Sequence, residues 1–136
     1  MLKAGDSAEA CFTVQLSDTA AVLAISSDDR FPEVFATSRM IALMELAAAR
    51  AMRVLLQPGQ LSVGVGINVK HTAATPIGST VRAVATFLRA EGRLMVFRLE
   101  AYDEAGAIGE GEHTRAVIDT ERLLGGAERR RKASNR

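Results

Sequence analysis

Ser38–Leu56, SRMIALMELAAARAMRVLL, decides the architecture. Ala, Leu, Met, Glu and Arg dominate it, and with no Gly or Pro inside, its summed propensity is strongly helical. Thr37 and Ser38 are both suitable N-caps, and Gln57-Pro58-Gly59 supplies the stop. The segment is apolar over most of its circumference, so the helix needs cover on more than one side. Glu45, Arg50 and Arg53 interrupt the apolar run from Met40 to Leu56, a pattern that fits a core-packing helix and not a membrane span.

Strand patterns flank this helix. Before it, Glu9–Leu16 alternates loosely and favours a strand, Ala20–Ile25 is a second short apolar run, and Ser26–Pro32 is a loop by its turn residues. After it, Val63, Val65, Ile67 and Val69 alternate with Gly64, Gly66, Asn68 and Lys70, a period of two. Ser79–Ala90 and Arg93–Asp103 meet at Glu91-Gly92, a hairpin signal, and Glu104-Ala105-Gly106 turns the chain into Ala107–Thr120. A strand region, one long helix and then an antiparallel meander is an α+β order. A hotdog arrangement, in which a curved antiparallel sheet wraps one long central helix, satisfies it. The pattern alone leaves other single-helix α+β folds open.

The chain has 136 residues, 48% hydrophobic and 24% charged, enough for one domain with its own core. With few aromatics, that core is built from aliphatics, alanine and five methionines. Cys11 is the sole cysteine, so no internal disulfide forms, and Met1–Glu9 lacks the apolar run of a signal peptide; the expected compartment is the cytoplasm. Charge is uneven. Residues 129–136 hold five of the 17 Lys and Arg and no acid, which leaves 12 bases against 16 acids and a body of net −4. The expected division is therefore a domain over residues 1–124 and a basic, disordered tail over 125–136. Five charges on a tail support weak, salt-sensitive nucleic-acid binding at most, and an acidic body with one tyrosine argues against a nucleic-acid platform.

Several chemistries lose their footing on motifs alone. There is no G-x-S-x-G elbow, C-x-x-C, P-loop or H-E-x-x-H, and two histidines with one cysteine leave few soft ligands, so no metal site is expected. Three residues stand out instead. Glu45 lies on an apolar flank of the helix, away from the Arg50–Arg53 stripe. A carboxylate there is desolvated unless a partner compensates, which suits acid–base work or nucleophilic attack. The plainer alternative, a helix-edge glutamate reaching water or an arginine, is commoner. His71 shares parity with Val63–Val69 and ends the strand, a place suited to moving protons, although a lone histidine more often bonds a local carbonyl. Thr37 at a helix N-terminus is usually a cap. The same dipole and free N–H groups also stabilise a developing oxyanion. Eight residues separate Thr37 from Glu45, roughly 12 Å along the axis, a gap that a single-chain site has to bridge. His113 and Arg115 share parity on the last strand, where they either hold a substrate carbonyl or phosphate or lie on a solvated face.

Together these residues carry a resemblance. FPEVFAT (31–37) leads into MIALME (40–45), followed by HTAATP (71–76) and GEGEHTRAVI (109–118). The combination resembles the fluoroacetyl-CoA thioesterase-like family of the hotdog-fold superfamily, from the first strand to Ile118. The resemblance implies a hotdog homodimer with sites at the subunit interface that hydrolyses a short-chain acyl-CoA thioester. It implies catalytic roles for Thr37, Glu45 and His71, substrate contacts from Gly64 and Arg115, and closure of the acyl pocket by Phe31. No metal or redox cofactor is implied; CoA enters as part of the substrate. The rival within the fold is an acyl-CoA-binding dimer without turnover, against which the presence of all three candidate residues counts.

Overall fold

Small residues set how closely the helix meets the sheet. The computed structural model describes residues 1–134. In chain order it holds β1 (Ser7–Thr13), α1 (Thr37–Met52), β2 (Gln60–His71), β3 (Thr80–Glu91), β4 (Leu94–Asp103), β5 (Gly106–Asp119) and α2 (Thr120–Ser134). The helical stretch is thus α1 followed by a single 3-10 turn, Arg53–Leu55. Its inner face buries Met40, Leu43, Met44, Ala47, Ala48, Ala51 and Met52. Val81, Ala83 and Ala85 of β3 are fully covered, and α1 lies chiefly against β1 and β3. Alanine on both surfaces lets backbones approach, and the large side chains fill the ends. Phe87 stacks edge-on against Phe97 at 5.7 Å, and Phe12 against Phe35 at 5.8 Å. Such pairs contribute about 0.5–1.5 kcal/mol beyond their burial.

The sheet is antiparallel throughout, in the order β1-β3-β4-β5-β2. Three bulges interrupt its ladders, at Gly64/Gly66, Phe87/Arg89 and Ala101/Tyr102. Each adds local twist and bend, so the sheet curls round α1 as the hotdog pattern requires. Gly92, at φ +59°, turns β3 into β4 where a side chain would be strained.

Two segments depart from their sequence patterns. Ala20–Ile25, apolar in sequence, forms a 3-10 turn over Ala20–Leu23 and exposes Val22, Leu23 and Ile25. Its first two N–H groups instead bond back to the segment before α1, Ala20 to the Val34 carbonyl at 2.9 Å and Ala21 to the Pro32 carbonyl at 3.1 Å. The tail is the larger correction, because residues 125–134, expected to be disordered, continue helix α2. The Arg122 N–H donates to Asp119 Oδ1 at 3.0 Å, a cap at the helix start. Glu121 in the first turn and Arg131 and Lys132 in the last match the helix dipole, and Arg131 pairs with Glu128. These terms offset Gly125 and Gly126. Even so, α2 buries no residue and touches the body chiefly along β5, with its first N–H, from Thr120, on the Gly59 carbonyl at 3.0 Å. Asn135 and Arg136, the end of the expected tail, lie outside the described residues. Among the described residues no helix is long and apolar enough to cross a membrane.

Candidate active site

The start of α1 is fixed from both sides. Phe35 N–H donates to the Thr75 carbonyl at 2.8 Å and Ala36 N–H to the Asp18 carbonyl at 2.9 Å. Behind these, buried Thr75 donates to Asp103 Oδ2 at 2.7 Å, and Asp18 takes Arg39 at 3.0 Å. Gly109 on β5 admits the side chain of Met40, since a Cβ there would meet Met40 Sδ at 2.6 Å. The first turn of the helix therefore lies hard against the sheet, next to the end of β2.

That placement decides what Thr37 does. Ala36, not Thr37 or Ser38, is the N-cap, and no side chain caps the helix. The Thr37 hydroxyl is engaged with His71 Nδ1 at 2.8 Å instead. The His71 ring meets the edge of Phe35, and its Nε2 is buried without a hydrogen-bond partner. Burial also pushes the His71 pKa below its ordinary value, so the ring is neutral near pH 7. Around the pair lies a cavity of about 360 Å³, lined among others by Ala20, Pro32, Val34 and Ala73. It offers uncapped helix N–H groups, a hydroxyl and a neutral imidazole at one mouth. This constellation suits a polarised carbonyl and a departing thiolate. Phe31, next to Pro32, is half-exposed at this end of the chain.

Glu45 belongs to a second group. Its Oε2 lies 3.6 Å from Arg115 Nη1, and its side chain keeps 42% of its exposure while that of Arg115 keeps 7%. Gly64 makes room between them, as a Cβ there would stand 3.3 Å from Glu45 Oε2 and 3.1 Å from His113 Cε1. Glu45, Gly64 and His113 line a separate cavity of about 230 Å³. Burial pulls down the pKa of Arg115, and Glu45 opposes that shift; the guanidinium stays a cation.

One chain therefore brings Thr37 to His71 and Glu45 to Arg115 and Gly64, but holds the two groups in different cavities. The parity of β2 also needs correction. Gly64 pairs with Arg115 and Gly66 with Thr114, so Val65 is bulged out of register. Strict alternation put Val63 and His71 on one face. The bulge instead puts Gly64, Ile67, Val69 and His71 on the face of Arg115 and His113, opposite Val63. The face of His113 and Arg115 is buried and not solvated. Ser62 carries no local sequence signal, yet its hydroxyl and carbonyl accept from Arg115 at 3.1 and 2.9 Å, a role that only the β2–β5 register reveals.

Known proteins with this geometry point one way. The sequence model of the fluoroacetyl-CoA-specific thioesterase family matches residues 14–121. The fluoroacetyl-CoA thioesterase of Streptantibioticus cattleyicolor is 51% identical over 93 residues, 68% of this chain and 67% of that protein. A crystal structure of a fluoroacetyl-CoA-specific thioesterase variant with fluoroacetate and CoA superposes with a TM-score of 0.84 at 42% identity, covering 90% of this chain and 99% of the other. A thioesterase-superfamily protein from Thermus thermophilus gives 0.87 at 25% identity, covering 98% and 96%. The match runs through both cavities and the helix between them, and the chain belongs to the fluoroacetyl-CoA-specific thioesterase family, thioester hydrolases of the hotdog fold.

Proposed function

We propose that this protein hydrolyses short-chain acyl-CoA thioesters as a homodimer, with Thr37, Glu45 and His71 as its catalytic set and CoA present only as part of the substrate. The observation that carries the mechanism is the Thr37 hydroxyl bonded to His71 beside an uncapped helix N-terminus. The thioester oxygen takes hydrogen bonds from the free N–H groups, Thr37 orients the imidazole, and His71, neutral at rest, accepts a proton released by water and passes it to the departing sulfur. Glu45 attacks the carbonyl carbon directly, expelling the CoA thiolate and leaving an anhydride that water then opens, or it draws a proton from the attacking water; labelled water oxygen found in Glu45 after a single turnover marks the first route. Gly64 and Arg115 hold the substrate beside Glu45, and Phe31 closes over the acyl group. The family relation favours turnover over binding alone. With no disulfide to form, the chain is suited to the reducing cytoplasm.

Dimerisation joins the two groups. The β2 edge is twelve residues long and exposes Leu61, Val65 and Ile67, an apolar edge that pairing would cover. We place Thr37 and His71 of one subunit opposite Glu45 and Arg115 of the other. A thiol-release screen across acyl-CoA chain lengths and polarities identifies the substrate and tests hydrolysis itself. Mixing inactive Thr37→Ala and Glu45→Gln proteins then tests the sharing. Random re-pairing makes half the dimers mixed, each with one intact site, so about a quarter of wild-type activity returns. No recovery after verified subunit exchange would place the whole site in one chain.

A further inference from the structure

We propose that His113 is a positioning residue of this site: as a neutral ring protonated on Nδ1, it holds the Arg115 guanidinium against Glu45. The inference rests on the reading of Glu45 as a catalytic carboxylate, and it concerns a side chain that the mechanism above does not use.

The tautomer follows from the partners. His113 is 2% exposed, and its Nδ1 lies 2.7 Å from the Gly66 carbonyl, which can only accept. Nδ1 therefore carries the proton. Nε2 lies 3.1 Å from Arg115 Nη1, and a guanidinium can only donate, so Nε2 accepts. The rest of the fork is fixed by Ser62, which takes Nε on its hydroxyl and Nη2 on its carbonyl. Nη1 is thus held by His113 on one side and faces Glu45 Oε2 at 3.6 Å on the other. The bulge at Val65 completes the arrangement, because it brings Gly64 opposite Arg115 and Ile67 opposite His113.

A core histidine with no further role would need only the Gly66 bond. Here the second nitrogen is committed to a buried cation, and a proton on Nε2 would set donor against donor and charge against charge. Burial keeps the ring neutral and Arg115 reinforces that, while the Gly66 carbonyl and Glu45 act the other way. Glu45 from α1 and Arg115 from β5 are the charged groups facing the ring. Its cross-strand neighbours, Ile67 on β2 and Phe97 on β4, are apolar.

Two full-length variants test this against the best acyl-CoA of the screen. His113→Asn retains a donor for Gly66 but has nothing where Nε2 stood. His113→Gln sets an amide oxygen near the Nε2 position and does not titrate. His113→Asn is expected to lower kcat by about tenfold to a hundredfold with KM within a few-fold, the scale of a small misplacement at a reacting centre. His113→Gln should recover most of that loss, and the acid limb of its kcat profile should lose one ionisation. Thermal melts show whether each variant is folded at the assay temperature. If both variants lose turnover equally, or both keep it with an unchanged pH profile, the proposal is overturned. Glu45→Gln separates the two levels: if it keeps full turnover, the reading of Glu45 fails. If it abolishes turnover while His113→Asn does not, only the role of His113 fails.

Discussion

The two halves of the sheet are built on different terms. Under α1, the β1–β3 half is finished by one chain: Val81, Ala83 and Ala85 are fully covered, and facing them Met44, Ala47 and Ala48 are equally buried. The β5–β2 half is not finished. It exposes 54% of Leu61 and 57% of Val65, yet it buries two polar groups, His113 and Arg115, behind that edge. A covered aliphatic face has little use for charge, because each buried ion needs a partner. An edge awaiting a second surface can carry charge, provided that the groups pair among themselves, as Arg115 does with Ser62, His113 and Glu45. The chemistry is accordingly expected on the half that a single chain leaves open.

The largest effect should come from the open half. Glu45→Gln is expected to lower turnover by about two orders of magnitude or more while the fold and dimer remain, as loss of a catalytic carboxylate commonly does. Gln keeps the volume and an oxygen toward Arg115, whose other donors stay bonded to Ser62 and His113, so the melting temperature should scarcely move. Turnover within a few-fold of wild type would make Glu45 a helix-edge residue after all.

The same comparison predicts opposite outcomes for two apolar side chains. Met44, fully buried in the covered half, should cost about 2–5 kcal/mol of stability when cut to alanine, without a change in subunit association. Val65, bulged and exposed on the β2 edge, should cost the single chain little when replaced by lysine. It should instead drive the proposed dimer toward monomer in light scattering and lower turnover with it, since the proposed site draws on both subunits. A Val65→Lys protein that remains dimeric and active would mean that the β2 edge is not the interface.

How legible each half was follows from the same contrast. The helix and the meander could be read because their signals are local: an unbroken run of helix formers over Ser38–Leu56, and alternation between turn residues. The covered face follows from that pattern. The open half depends on register. Counting by twos along Val63–His71 assumes a regular ladder, and the bulge at Val65 breaks it. No local signal shows that Gly64 faces Arg115, or that Thr37 spends its hydroxyl on a histidine 34 residues away. The one-sided charge of residues 129–136 misled in the other direction, because the cap at Asp119 and the acids Glu121 and Glu128 that support the helix lie outside that stretch.

The smallest effect concerns pH, and it draws on both cavities. The chain has two histidines, His71 and His113, and burial is the main reason each has a pKa lowered from the ordinary 6.5. The unfolded chain therefore binds protons on these rings at a pH where the folded chain does not. Stability rises with pH wherever the unfolded state holds more protons. The contribution from each ring is thus fully present above 6.5 and is lost as pH falls below 6.5 toward the lowered folded values. Melting temperature should fall by a few degrees across that range, in addition to any carboxylate effect at lower pH. A protein with both histidines changed to glutamine should show a shallower fall over the same window. The His113→Gln single variant should account for the larger part, because that ring is the more deeply buried and faces a cation. If wild type and the double variant lose stability in parallel from pH 6.5 downward, the histidines are not held neutral by the fold. The imidazole roles assigned to both cavities would then have to be rewritten.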